Sequence, residues 1–350
     1  MKILYLYAEL MGYLIPVFKE LSTYYNAQVH VVHWDHKKLT PYVPPTLANV
    51  NYYNKSELSF RQLEKLAEKI NPDIVYISGW LDKEYLQVAK RLKRSGSIVV
   101  AGSDNQWTGS IKQKIASIAF PLTLKRYFNY MWVPGPFQFE FAARLGFQKS
   151  EIIFNHYCAD TSLFETTFLK SREEKMKKYP HRFLFLGRFE EIKGIDLLLR
   201  AWSELEKGRM DWELCFIGNG KLRSELSKYP NIIVKDFMQP EKLISELSMA
   251  GCAILPSRKE PWALVLHEFA IAGLPIICSD ICGASTTFTI NGFNGFIFKN
   301  NNMNELKQKM KSIINKSDSE LVKMSENSHN IGRRITPEIT AASLMSVFNS

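Results

Sequence analysis

The chain has 350 residues, more than one typical hydrophobic core organises, so two domains are expected. Apolar residues at 46% and aromatics at 13% supply packed cores and exclude a disordered or low-complexity protein. The net charge of +10 excludes nothing until it is located along the chain.

The apolar start 1–7 is broken by Glu9 and Gly12, too short a run for a signal peptide or membrane span, so a cytoplasmic protein is expected. In chain order, β-branched and aromatic runs alternate with helix-period segments, the pattern of parallel βαβ units. Strands are expected at 2–7, 27–34, 73–78, 97–102, 130–134 and 151–155. A helix is expected at 57–70, where Leu58, Leu63, Leu66, Ala67 and Ile70 recur near helical spacing, and another at 82–94, opened by Asp82 as N-cap.

Segment 85–130 places eight basic residues (Lys90, Arg91, Lys93, Arg94, Lys112, Lys114, Lys125, Arg126) against one acidic residue, Asp104, a local charge of +7. Together with Trp107, Phe120, Tyr127, Phe128 and Tyr130 this mix suits contact with an anionic bilayer, while an ordinary solvated basic face is the alternative. No helix-turn-helix, zinc-finger or RNP-like signature accompanies it, so no nucleic-acid partner is expected.

Residues 159–180, with the charged run 170–175, read as a linker. Beyond them strands are expected at 182–186, 212–217, 232–237, 252–255 and 275–279. In the tail 337–348, Ile339, Ala342, Leu344, Met345 and Phe348 suit a docked amphipathic helix. The expected domains are therefore 1–165 and 166–335, with 336–350 packing back on the first. Cys158, Cys215, Cys252, Cys278 and Cys282 lack CxxC spacing and read as reduced packing residues. Neither they nor His30, His33, His36, His156, His181, His267 and His329 show metal-site spacing, so no metal is expected.

Open α/β sheets bind ligands beyond the carboxyl ends of their strands, which directs attention to strand-end motifs. Strand 182–186 runs into Gly187-Arg188, with Lys193-Gly194 five residues on. Such a loop grips a diphosphate through an arginine fork, a compact ammonium and close-approaching glycines, or is a plain βα turn with surface cations. Further on, Glu260 and Glu268 bracket Trp262, Ala263, Leu264, Val265 and Leu266. Half-buried carboxylates need partners, and sugar and ribose hydroxyls are suitable ones, as is the positive end of a helix. Glu260 should lie just before that helix and Glu268 about two turns inside it.

Taken together, residues 183–298 resemble the donor-binding domain of family 4 retaining glycosyltransferases. Gly187-Arg188 with Lys193-Gly194, Phe216-Ile217-Gly218-Asn219-Gly220, the Glu260-x7-Glu268 pair, Ala272-Gly273-Leu274-Pro275 and Asn291-Gly292-Phe293-Asn294-Gly295 occur in the family's order. The resemblance implies an α/β chain of the GT-B fold, with two Rossmann-like doubly wound parallel-sheet domains facing a central cleft. It implies that Arg188 and Lys193 neutralise the donor diphosphate, that Glu260 contacts the transferred sugar and that Glu268 holds the ribose. Gly187, Gly218, Asn219, Trp262, Ala263, Leu264 and Val265 would line the donor. Transfer would proceed from a UDP- or GDP-sugar with retention, without metal or cofactor, to a glycan acceptor. The basic segment adds the expectation of a lipid-linked acceptor and a place on the inner face of the cytoplasmic membrane, as in lipopolysaccharide, capsule or glycolipid biosynthesis.

Three departures stand out. Ala263 replaces a common glycine, and Thr287 stands where many members carry Glu. The first loop, containing Glu9 and Gly12, has one glycine where relatives often have two. Asp104 takes the place where many relatives set a histidine near the reacting carbon; it orients the acceptor, steadies positive charge on the sugar, or is an Asx turn or helix cap. Rival readings are a GT-B sugar-nucleotide epimerase or hydrolase, and a non-catalytic nucleotide-sugar-binding protein.

Overall fold

Runs such as Ile3-Leu4-Tyr5-Leu6 are apolar at every position, so they suit strands covered on both faces rather than a half-exposed sheet. The computed structural model, which describes residues 1–35, 42–206, 211–229 and 231–348, buries these four side chains to 1% exposure or less. The chain divides into two units, Met1–Cys158 with Ile335–Ser350, and Ala159–Arg334.

Among the described residues of the first unit, seven parallel strands form one sheet: β1 (Lys2–Glu9), β2 (Gln28–Trp34), β3 (Val50–Asn54), β4 (Ile74–Ser78), β5 (Ile98–Gly102), β6 (Tyr130–Trp132) and β7 (Ile152–Ile153). Their order is β3-β2-β1-β4-β5-β6-β7, so the direction of winding reverses between β1 and β4. The helices are α1 (Ile15–Thr23), α2 (Phe60–Ile70), α3 (Lys83–Arg94), α4 (Ile111–Thr123) and α5 (Pro136–Arg144). Helix α2 starts later than expected because Ser59 and Gln62 form a capping box, with Gln62 Oε1 accepting the Ser59 N–H at 2.9 Å. Asp82 caps α3 as expected, its Oδ1 accepting the N–H groups of Glu84 and Tyr85 at 2.9 and 3.0 Å.

Residues 159–180 are not a linker. Helix α6 (Thr161–Lys177), capped by Asp160, buries Phe164, Phe168, Ser171 and Lys175 on one face. The charged run supplies its solvent face, and buried Lys175 donates to the Ala250 carbonyl at 3.0 Å. The unit division falls between Cys158 and Ala159 rather than at 165.

The second unit repeats the scheme with a six-stranded parallel sheet among its described residues: β8 (Arg182–Leu186), β9 (Glu213–Ile217), β10 (Ile233–Lys235), β11 (Cys252–Leu255), β12 (Ile276–Ser279) and β13 (Gly295–Phe298). The order β10-β9-β8-β11-β12-β13 reverses direction between β8 and β11. Its helices continue as α7 (Ile195–Glu206), α8 (Arg223–Leu226), α9 (Pro240–Ser248), α10 (Val265–Ile271), α11 (Ser285–Phe288), α12 (Met303–Ile314) and α13 (Asp318–Gly332). The chain then returns to the first unit as α14 (Pro337–Met345), which packs on α1.

Candidate active site

In an open parallel sheet the crevice at the winding reversal lies beyond the carboxyl ends of the two central strands. In the second unit these are β8 and β11, and the chain leaves them through the Arg188–Lys193 and Ser257–Glu260 loops. Two glycines let the loops approach. A Cβ on Gly194 (φ +69°) would stand 2.0 Å from the Pro256 carbonyl oxygen, and one on Gly218 (φ +147°) 2.0 Å from that of Gly187. The Gly187 and Phe189 N–H groups bond the carbonyls of Ile217 and Asn219 at 3.1 and 2.8 Å, which joins the β8 and β9 loops.

This packing places the Lys193 ammonium on the Glu260 carboxylate, and Ser257 Oγ donates to Glu260 Oε2 at 3.2 Å. The pair is largely enclosed, with the two side chains 16% and 13% exposed. Arg188 lies further out, about half exposed, against Glu190 Oε1 at 3.3 Å. The Arg258–Asp196 pair, which sequence reasoning did not single out, holds the two loops in place. The Arg258 fork bonds both Asp196 oxygens at 2.5 and 2.6 Å and donates to the Glu191 carbonyl at 2.8 Å. The guanidinium in turn holds the Asp196 carboxyl below the usual carboxylate range. Arg258 lies two residues before Glu260, but nothing in the sequence tied Asp196 to it.

Beyond Glu260 the chain is fastened to the 283–284 turn, since the carbonyls of Glu260 and Trp262 accept the N–H groups of Gly283 and Ala284 at 3.3 and 2.8 Å. The indole N–H of Trp262 is buried with no acceptor among the described residues. Helix α10 begins at Val265, so Glu268 lies one turn inside it and not two. Leu264 and Val265 therefore lead the helix with N–H groups that no intrahelical carbonyl accepts. Glu268 is half-buried, and desolvation pushes its carboxyl up to about 7. His267, beside it, is buried and bonded elsewhere. Its Nδ1 accepts the Ala159 N–H at 3.0 Å, and its Nε2 donates to the Gly332 carbonyl at 2.9 Å.

Ala263 adopts φ +78°, in the left-handed region that favours glycine, at the position where the family commonly has glycine. Such a conformation costs a non-glycine residue about 1–2 kcal/mol, part of which a glycine returns through its greater unfolded-state entropy. Ala263→Gly is expected to raise stability by up to about 1 kcal/mol. Urea unfolding is the measurement, and a destabilised variant would mean that the Cβ contributes more packing than the backbone costs.

In the first unit, Glu9 ends β1, Gly12 opens the turn that follows, and Asp104 lies two residues past β5. Ser110 rather than Asp104 caps α4, accepting the Gln113 N–H at 3.4 Å. Asp104 and Glu9 both act on Tyr13, whose hydroxyl bonds that of Tyr7 at 3.0 Å; burial first, and then these carboxylates, push it up to about 12. Behind it lies a cluster that sequence reasoning passed over. Tyr76 OH bonds His156 Nε2 at 2.8 Å, and burial pushes the imidazole down to about 3, keeping it neutral. The signal was alternation: Tyr5, Tyr7 and Tyr76 lie on adjacent strands.

The basic segment differs from expectation in its side chains. Phe120 and Phe128 are core residues at 4% and 1% exposure. Arg91 pairs with Glu64 and Glu68, Lys125 with Glu151, and Lys93 donates to the carbonyls of Arg126 and Phe128. All five cysteines are buried and none is in a disulfide among the described residues, where no group of three His, Cys, Asp or Glu suited to a metal occurs either. His36 lies outside the described residues.

The family model of glycosyl transferases group 1 matches residues 167–331, nearly the whole second unit. An uncharacterized glycosyltransferase of Methanocaldococcus jannaschii is 31% identical over 144 residues, 39% of this chain and 38% of that protein. The alpha-D-kanosaminyltransferase of Streptomyces kanamyceticus is 27% identical over 109 residues, 29% of this chain and 28% of that protein. The chain thus matches less than half the length of these relatives. Similarity of fold extends further. HepE of Anabaena, solved in complex with UDP and glucose, superposes with a TM-score of 0.72 at 14% identity and full coverage of both chains. The lipopolysaccharide outer core galactosyltransferase WaaB does so at 0.69 and 15%, covering 100% of this chain and 99% of its own. Two Rossmann-like parallel sheets with these neighbours make the fold GT-B, and within it residues 167–331 of the second unit are similar to glycosyl transferases group 1.

Proposed function

We propose that the protein is a retaining, metal-independent glycosyltransferase that moves a sugar from a UDP- or GDP-sugar to a glycan acceptor. The observation that carries this reading is the meeting of Lys193 and Glu260 at the β8/β11 reversal, with Arg188 further out on the same loop as Lys193 and Glu268 one turn into α10. The ion pair keeps both charges satisfied. A donor diphosphate takes up the ammonium and the Arg188 fork, and hydroxyls of the transferred sugar bond the Glu260 carboxylate. Charge on the diphosphate grows as the glycosidic bond breaks, so cations fixed at that place lower the barrier without a metal. The leading N–H groups of α10 support a phosphate, and the Glu268 carboxylate accepts from the ribose.

Retention follows if the departing phosphate assists the acceptor hydroxyl on the same face, which requires no enzyme nucleophile. Glu9, Gly12 and Asp104, at the β1 and β5 ends of the first sheet, form the acceptor side, with Asp104 orienting the hydroxyl. The acceptor is lipid-linked, and the protein is peripheral on the inner face of the cytoplasmic membrane. The charge of segment 85–130 supports that placement, and no helix among the described residues is long and apolar enough to span a bilayer.

Incubation with a panel of UDP- and GDP-sugars should reveal one that is slowly hydrolysed, at a rate EDTA leaves unchanged. Loss of hydrolysis in EDTA would overturn metal independence alone. An epimerised product would favour the epimerase reading, and no binding to any sugar nucleotide would overturn the assignment.

A further inference from the structure

Helix α4 carries an apolar stripe that the fold leaves in water. Ile111, Ile115, Ile118 and Leu122 are 77%, 62%, 73% and 78% exposed. At 100° per residue these four positions span about 60° of arc, and Phe120, 4% exposed, lies on the opposite side, facing the core. The helix is thus amphipathic twice over, with one apolar face packed and a second unpartnered among the described residues. Lys112 and Lys114, both exposed, flank the second face on either side. At the C-terminal end Pro121, Lys93, Lys125 and Arg126, with Glu151, wall an open groove of about 600 Å³.

We infer that α4 is a membrane-docking helix that lays Ile111, Ile115, Ile118 and Leu122 into the acyl boundary of an anionic bilayer while Lys112, Lys114 and Arg126 meet its phosphates. This rests on the membrane placement proposed above and names the element responsible. Charge complementarity decides among occupants. Cations on both sides of an aliphatic stripe match an interface that is anionic outside and apolar within, whereas two copies of this chain joined through the stripe would bring like charges together. It also reassigns the contact from the aromatics of the segment, two of which are core, to aliphatic groups of α4 within the same segment.

The full chain is tested on phosphatidylcholine vesicles with and without phosphatidylglycerol, at low and raised salt. Binding is expected only with the anionic lipid, falling as salt rises. Ile115→Ser with Ile118→Ser should weaken it about a hundredfold, roughly tenfold for each aliphatic group withdrawn. Both positions are exposed, so folding should be unaffected, which circular dichroism checks. As a second probe, Ile118→Cys carrying a polarity-sensitive fluorophore should shift to the blue on anionic vesicles, the five native cysteines being buried. If the chain binds but the serine pair changes neither affinity nor salt dependence, α4 is not the anchor and the broader membrane placement survives. If the unsubstituted chain ignores anionic vesicles, both fall. A dimer that the serine pair converts to monomer, with no vesicle binding, would make the stripe a self-association surface and overturn the inference.

Discussion

Lys193→Ala is expected to lower the rate of donor turnover by about 10²–10³-fold, the loss typical when one preorganised electrostatic donor is removed from a transition state. It should also cost about 1–3 kcal/mol of stability, because it takes the countercharge from the Glu260 carboxylate in a site where both side chains are less than one-fifth exposed. The two effects separate in a double variant. Lys193→Ala with Glu260→Gln removes both charges, so stability should return close to that of the parent while turnover stays low. Arg188→Ala, at a half-exposed position held loosely by Glu190, should slow turnover with little change in stability. The measurements are hydrolysis of the preferred sugar nucleotide and urea unfolding. If the double variant turns over donor at the parental rate, the diphosphate role of Lys193 is excluded; if it stays as unstable as Lys193→Ala, the pair is not the source of the lost stability.

Most of the sheet framework was legible because strands buried on both faces are written as unbroken apolar runs. The strands that escaped are β3 and β13, which lie at the edges of their sheets. An edge strand is covered less completely, and its sequence mixes polar residues into the run: Val50-Asn51-Tyr52-Tyr53-Asn54 has one buried residue, and Gly295-Phe296-Ile297-Phe298 follows so closely on the Asn291–Gly295 turn that it read as part of it. The shortened β6 and β7 occupy the other end of the first sheet for a related reason. Helix α6 was lost to its charged face, although its buried residues keep helical spacing.

The donor-side residues were legible for a different reason. Lys193 and Glu260 are separated by 67 residues, yet each stands at a strand terminus, and the parallel topology delivers both termini to one edge. What the sequence did not carry was the fastening. Arg258 and Asp196 meet only because Gly194 lets one loop lie on Pro256, and the stripe on α4 became visible only when the burial of Phe120 fixed which face of the helix points inward. Composition located the charge of that segment, while the fold determined which side chains it accompanies.

Glu268 should give the protein a pH dependence that a glutamine at the same place abolishes. Desolvation raises its carboxyl from 4.5 to about 7, so the folded chain holds this proton more tightly than the unfolded chain does. The stabilising contribution is therefore complete below about pH 4.5 and is lost as pH rises through about 7, an effect of about 3 kcal/mol. Urea unfolding of the parent and of Glu268→Gln across that window should show the parent losing stability relative to the variant as pH rises. Nucleotide binding should run the opposite way. Ribose hydroxyls donate to an ionised carboxylate, so donor binding expels the proton, and affinity should fall by up to about tenfold for each pH unit below 7. Calorimetry in two buffers of different ionisation enthalpy reads that proton release directly. Glu268→Ala should weaken binding by about 1.5–3 kcal/mol and lose the dependence altogether. An affinity that stays flat through pH 7 in the parent, or a variant that binds as tightly as the parent, would take the ribose away from Glu268 and leave its raised carboxyl as a property of the α10 packing alone.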